Sequence, residues 1–133
     1  MKPKICIIIS NYNSSITKKI LFSAIKELKK NGINNVKNFQ VPGAFEIPVA
    51  IAKLANKFDA FIAIGCIIKG QTANFDLISS AITNGIIRLS IMNKKPIGNA
   101  IITLFNKKQA SKRFNKGKEA ANAVLEILKI KWM

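Results

Sequence analysis

Ala60 to Ile68 is an unbroken apolar run, with Phe61, Ile62, Ile64, Ile67 and Ile68 supplying its bulk. It is too short to cross a bilayer and has no room for the polar face of a surface helix, so it reads as a strand buried on both sides. Such a strand needs cover above and below, which points to a parallel sheet clad in helices. Three further strand patterns, Lys4 to Ser10, Val36 to Val41 and Ile97 to Thr103, alternate with helical ones, and the third strand itself is read as Asp59 to Ile68. Ile20, Leu21, Ala24, Ile25 and Leu28 repeat at helical spacing within Ile16 to Lys30, opposed by lysines and closed by Asn31-Gly32. Phe45 to Lys57, Asn74 to Asn93 and Gly117 to Lys131 read as the remaining helices. The expectation is one α/β domain over residues 1–133: three layers, with a four-stranded parallel sheet and helices on both faces.

Ligands of an open parallel sheet bind outside the carboxyl ends of its strands. Here the exits carry Asn11-Tyr12-Asn13, Pro42-Gly43-Ala44-Phe45-Glu46, Lys69-Gly70-Gln71-Thr72, and the chain beyond Thr103. Together they offer an aromatic wall, a carboxylate and a turn. Gly70 permits a tight turn, and unpaired amides from Gln71 onward at the head of the next helix would suit a phosphate.

The formal net charge of +16 raises the question of nucleic acid. Arg88 and Arg113 are the only arginines, and Tyr12 and Trp132 the only aromatics besides phenylalanine, so the means of base contact and stacking are thin. Abundant Lys, Asn and Ile share A/T-rich codons, a simpler origin for the charge. No nucleic-acid partner is expected. The run Ile5 to Ile9 is shorter than a signal-peptide core, and no apolar stretch approaches the roughly 20 residues of a membrane span. A cytoplasmic protein without membrane contact is expected. Cys6 and Cys66, near opposite ends of two strands, would be offset by about four residues, roughly 13 Å, if those strands were parallel neighbours. A disulfide needs Cα atoms within about 7 Å, so both are read as thiols. With no histidine and no acidic cluster in the sequence, no metal site is expected.

Val41-Pro42-Gly43-Ala44-Phe45-Glu46-Ile47-Pro48, then Gly65-Cys66-Ile67-Ile68-Lys69-Gly70-Gln71-Thr72, then Gln109-Ala110 with Arg113, and finally Asn115-Lys116-Gly117 with Glu119-Ala120-Ala121 closely resemble the lumazine synthase family. The likeness runs in order over nearly the whole chain. It implies a flavodoxin-like domain and the penultimate step of riboflavin synthesis. In that step 5-amino-6-(D-ribitylamino)uracil condenses with 3,4-dihydroxy-2-butanone 4-phosphate to give 6,7-dimethyl-8-ribityllumazine, with loss of phosphate and water. It implies no cofactor, and a homo-oligomer, a pentamer or a multiple of five, whose sites are shared between neighbours. By the same resemblance Tyr12 stacks on the pyrimidine, and Ala44, Phe45 and Glu46 hold the ribityl chain. Cys66, Ile67 and Ile68 present backbone to the uracil edge. Gln71 and Thr72 cradle the phosphate with Arg113 from a neighbour, and Lys116 adds a second cation. Tyr12 also reads simply as a half-buried strand-end aromatic, and Glu46 as a first-turn acid favoured by the helix dipole.

Several positions depart from the family pattern. Asn74 stands where the family has a histidine proposed to move protons, and an amide is no general acid or base near neutrality. Asn99 replaces the aromatic that covers the ring, and Lys69 replaces an arginine. The segment between Arg113 and Lys116 is shorter, and the amino terminus lacks a strand that joins a neighbour's sheet. Losing a general acid–base group costs about a hundredfold to ten-thousandfold, while holding two reactive substrates together can contribute as much. The expectation is a slow but active enzyme. The alternative is a catalytically degenerate homologue acting as a ligand-binding or shell-forming oligomer.

Overall fold

In the computed structural model, which describes residues 2–71 and 73–131, the apolar runs pair as one parallel sheet. Its strands are β1 (Ile5–Ser10), β2 (Val36–Val41), β3 (Ala60–Ile68) and β4 (Ile97–Leu104), in the order β2-β1-β3-β4. Helices α1 (Ser14–Lys30), α2 (Ile47–Leu54), α3 (Phe75–Asn93) and α4 (Lys116–Leu128) complete the three layers.

Every residue of β1 and β3 is buried, as their apolar runs require, with the polar Ser10 closing β1. Alternate side chains feed two cores. Ile5, Ile7, Ile62 and Ile64 meet Ile20, Ala24 and Leu28 of α1 and Ala121 and Val124 of α4. Cys6, Ile8, Phe61 and Ala63 meet Ile47 and Ile51 of α2 and Ile82 and Ile86 of α3. Each fully buried isoleucine contributes about 1.5–3 kcal/mol of transfer free energy.

Glycine sets the closeness of the first layer. A methyl on Gly117 would collide with the carbonyl oxygen of Ile20 and stand 2.9 Å from the Ala24 amide nitrogen, so α4 packs directly on the backbone of α1. A methyl on Gly98 would come 2.6 Å from the Ala120 carbonyl oxygen, which brings α4 equally close to β4.

Some expectations shift. The helix read as Phe45 to Lys57 is a 3₁₀ turn, Ala44–Glu46, followed by the short α2. Pro48 lies in the first turn of α2, where its missing amide costs nothing, and so marks the true start. The last helix stops at Leu128, the end of its contact with the core. The sheet is not covered everywhere: Lys37, Asn38, Phe39 and Gln40 of β2 are exposed. Polar residues on both faces suit that edge position. α3, at 19 residues and mean hydropathy 1.2, is by length and composition long and apolar enough to cross a membrane, contrary to the sequence reading. Its Ile78, Ile82, Ile86 and Leu89 pack on the sheet side, among Ser79, Ser80, Thr83, Asn84 and Arg88, so here it is a covering helix.

Both cysteines are free thiols. Ile5 pairs with Ala60, which sets Cys66 five positions beyond Cys6 rather than four, roughly 16 Å along the sheet. They also face different cores. Burial pushes the Cys6 thiol up to about 12 and Cys66 to about 11, the Lys107 ammonium pulling the latter back.

Candidate functional site

From β1 the chain leaves by α1 to β2 on one side, then crosses to β3 on the other. Two connections diverging from adjacent strands leave a crevice at their carboxyl ends. A cleft of about 150 Å³ lies there, lined by Tyr12, Gly43, Ala44, Phe45, Cys66, Ile67, Ile68, Gln71 and Ile78. It gathers the expected residues from three separate strand exits. A larger groove of about 620 Å³ runs between α1 and α4 among lysines, away from the strand exits, and contains none of the expected site residues. The topology favours the smaller cleft as the site.

Tyr12 is held at the rim by main-chain bonds that prolong the β1–β2 pairing: Asn11 N to Val41 O at 2.8 Å and Tyr12 N to Pro42 O at 3.1 Å. The ring is 53% exposed, free to receive a planar partner. Ala44 and Phe45 enter on the 3₁₀ turn. Glu46 closes a capping box, its Oε1 accepting from Gly43 N at 2.9 Å while Glu46 N donates to Gly43 O at 3.2 Å. Its structural use is therefore real, and one carboxylate oxygen remains for a ligand. Glu46 lines an adjoining hollow of about 430 Å³ with Phe45, Pro48, Val49, Ala81, Ile82 and Gly85.

At the exit of β3, Cys66, Ile67 and Ile68 are buried, so backbone is what they can offer a ligand. Gly70 takes φ 96°, the left-handed turn expected of it. The turn differs from expectation in one respect. The Gln71 amide is not free: it donates to Ile68 O at 3.1 Å, closing the turn on itself. The helix begins only at Phe75, with Asn74 at its N-cap, so the positive end of the macrodipole sits beyond Gln71. Asn74 is exposed and its side chain makes no capping bond. Thr72 lies outside the described residues. Lys69 places its ammonium 5.5 Å over the Phe105 ring.

Among the described residues, five expected ones do not line the cleft within one chain: Glu46 lines the adjoining hollow, Asn74 stands at the head of α3, and the other three are Arg113, Lys116 and Asn99. Arg113 ends the 3₁₀ segment Lys107–Arg113 and is exposed. Lys116 opens α4, its ammonium 3.8 Å from Glu119 in a solvent-facing pair of little energetic weight. Asn99 pairs with Ala63, three residues before Cys66 and so roughly 10 Å back along the sheet. Its Oδ1 accepts from Ile101 N at 3.0 Å. The sequence reading placed Asn13 at the first strand exit but gave it no role; its amide reaches the Gln71 side chain. An asparagine at a helix start is normally explained by capping.

No group of three or more Cys, Asp and Glu side chains among the described residues could hold a metal. The cleft offers backbone polar groups, an aromatic face and the Gln71 side-chain amide, with the Glu46 carboxylate in the adjoining hollow, a set suited to binding and orienting polar organic substrates.

A family model described as 6,7-dimethyl-8-ribityllumazine synthase matches residues 2–131. A relative of that description from Buchnera aphidicola subsp. Baizongia pistaciae is 43% identical over 97% of this chain and 87% of its own length. One from Verminephrobacter eiseniae is 40% identical, covering 95% and 85% respectively, and one from Methylibium petroleiphilum is 36% identical, covering 96% and 82%.

Proposed function

The chain belongs to the 6,7-dimethyl-8-ribityllumazine synthase family, and from that premise we propose how its own residues carry the family reaction. The enzyme is a transferase of riboflavin biosynthesis. It condenses 5-amino-6-(D-ribitylamino)uracil with 3,4-dihydroxy-2-butanone 4-phosphate, releasing phosphate and water.

The observation that carries the reading is the convergence of Tyr12, Ala44, Phe45, Cys66, Ile67, Ile68 and Gln71 on one cleft between the exits of β1 and β3. In it the pyrimidine stacks on Tyr12 with its edge on the backbone of Cys66 to Ile68. The ribityl hydroxyls run past Ala44 and Phe45 toward the free oxygen of Glu46. The phosphorylated ketone lies at the Gly70–Gln71 turn, with Thr72 next in sequence. Because Gln71 N is already bonded, anion binding there depends on the amides that follow it and on added cations. Arg113, with Lys116, supplies these, and Asn99 approaches the ring, from a second copy of the chain.

A cleft of about 150 Å³ is well below the ~300–1,000 Å³ of an ordinary ligand pocket, which supports a site completed by a neighbour. The outward face of α3 supports it too. Leu77, Ile87, Ile91 and Met92 are exposed there, an apolar surface that a lone soluble chain would rarely keep. The assembly is a pentamer or a multiple of five.

Asn74 orients rather than transfers protons, and catalysis rests on holding amine and ketone in contact. Mixing the purified protein with both substrates should yield lumazine absorbance above the uncatalysed background. Binding of both without that gain would instead identify a degenerate ligand-binding oligomer.

A further inference from the structure

The turn after β1 and the turn after β3 are joined by a single side chain. Asn13 adopts the left-handed conformation, φ 61° and ψ 45°. Among the described residues only Lys94 shares a positive φ without being glycine. Such a backbone is costly for most side chains, and asparagine is among the few that tolerate it. Asn13 is also the N-cap of α1, where an asparagine side chain ordinarily accepts from first-turn amides. It makes no such bond. Nδ2 instead donates to Gln71 Oε1 at 3.1 Å and to Cys66 O at 3.4 Å. The two hydrogens of an amide allow both at once. The backbone still opens the helix, Asn13 O accepting from Ile16 N at 2.9 Å and Thr17 N at 3.1 Å. From beneath, Thr17 Oγ1 donates to Ser10 O at 3.0 Å, pinning the same turn. A left-handed residue that forgoes its own cap to reach across the cleft is strain kept at a functional site.

We propose that Asn13 is a positioning residue for the condensation, a latch that holds the Gly70–Gln71 turn in fixed register with the carbonyl of Cys66. The two substrates meet across that register, so the latch sets how well amine and ketone are aligned. This rests on the reading that places the phosphorylated ketone at the turn. Asn13 acts through the Gln71 side chain and the Cys66 carbonyl.

Asn13→Gly keeps the backbone angles without strain and removes the amide. It should lower kcat/KM for the phosphorylated ketone about tenfold, the scale of one or two lost hydrogen bonds. Gln71→Ala should do the same, and Asn13→Gly combined with Gln71→Ala should be no worse than either alone. A double variant showing the product of the two losses, about a hundredfold, would overturn the proposal, as would unchanged kcat/KM in the single variants. Hydrogen exchange gives a readout independent of turnover: Asn13→Gly should speed exchange at residues 69 to 71 while α1 keeps its protection. Unaltered exchange at that turn would overturn the latch even in a slow variant. A wild-type protein that forms no lumazine would sink the activity reading, and the exchange comparison would still decide the latch.

Discussion

Asn74 sits at the head of α3, its side chain making no capping bond and open to solvent, so an imidazole there would be accommodated without repacking. Asn74→His should raise turnover and introduce an ionisation near pH ~6.5, the unperturbed histidine value, where the wild type is flat. A pH–rate profile of the two proteins checks this. If the variant gains nothing while the wild type turns over briskly, proton transfer runs through substrate phosphate or water instead. The thiols make a second case. Burial raises Cys6 from 9.0 to about 12, so below pH 9 both folded and unfolded chains hold that proton and its contribution to stability is complete. Above pH 9 the unfolded thiol ionises while the folded one does not, and stability falls until about pH 12. Lysines titrate in the same range, so the comparison is with Cys6→Ala, whose Tm should decline less steeply between pH 9 and 11 than that of the wild type. An equal slope in the two would show that Cys6 is not buried in the protonated form.

Helices α1 and α4 are held at backbone contact by Gly117, and Lys118 N donates to Ser23 Oγ at 2.7 Å across the same seam. Gly117→Ala would force the helices apart. The expected loss is about 1–3 kcal/mol, the range for overpacking, read as a lower denaturation midpoint at unchanged slope. A variant as stable as wild type would mean that the seam relaxes freely. Most element positions were legible because β1, up to Ser10, and β3 are apolar runs and α1 and α4 are periodic. The region around residue 45 was less so. A 3₁₀ turn and a short helix share one apolar pattern, and it is Pro48 in the first turn of α2 that marks where the helix proper begins. At Gly70 the turn itself was legible from the glycine, whereas the fate of the Gln71 amide depended on which carbonyl the folded turn brought to it.

At the scale of the molecule, α3 turns one face to the sheet and leaves Leu77, Ile87, Ile91 and Met92 outside. Sedimentation should show a pentamer or a multiple of five. Ile91 is 68% exposed in the single chain, so Ile91→Lys should leave the fold intact, with an unchanged circular dichroism spectrum, yet dissociate the assembly. On the proposed shared site, in which Arg113 comes from a neighbour, activity should fall with it. A fully active monomer at low concentration would refute the shared site.

The sequence alone determined the sheet, its helical cladding and the end of the sheet at which the cleft opens. Uninterrupted apolar strands can be satisfied only by cover on both faces, and glycine at residue 70 permits a turn that few other residues adopt. It also determined the family, through ordered motifs that span nearly the whole chain. Tertiary structure decided which residues share the cleft. That grouping depends on the strand order β2-β1-β3-β4, a long-range pairing that leaves no local trace. It likewise decided that Asn13 spans to Gln71 rather than capping its own helix, because a hydrogen bond across fifty-eight residues of chain exists only once both turns stand at the same crevice.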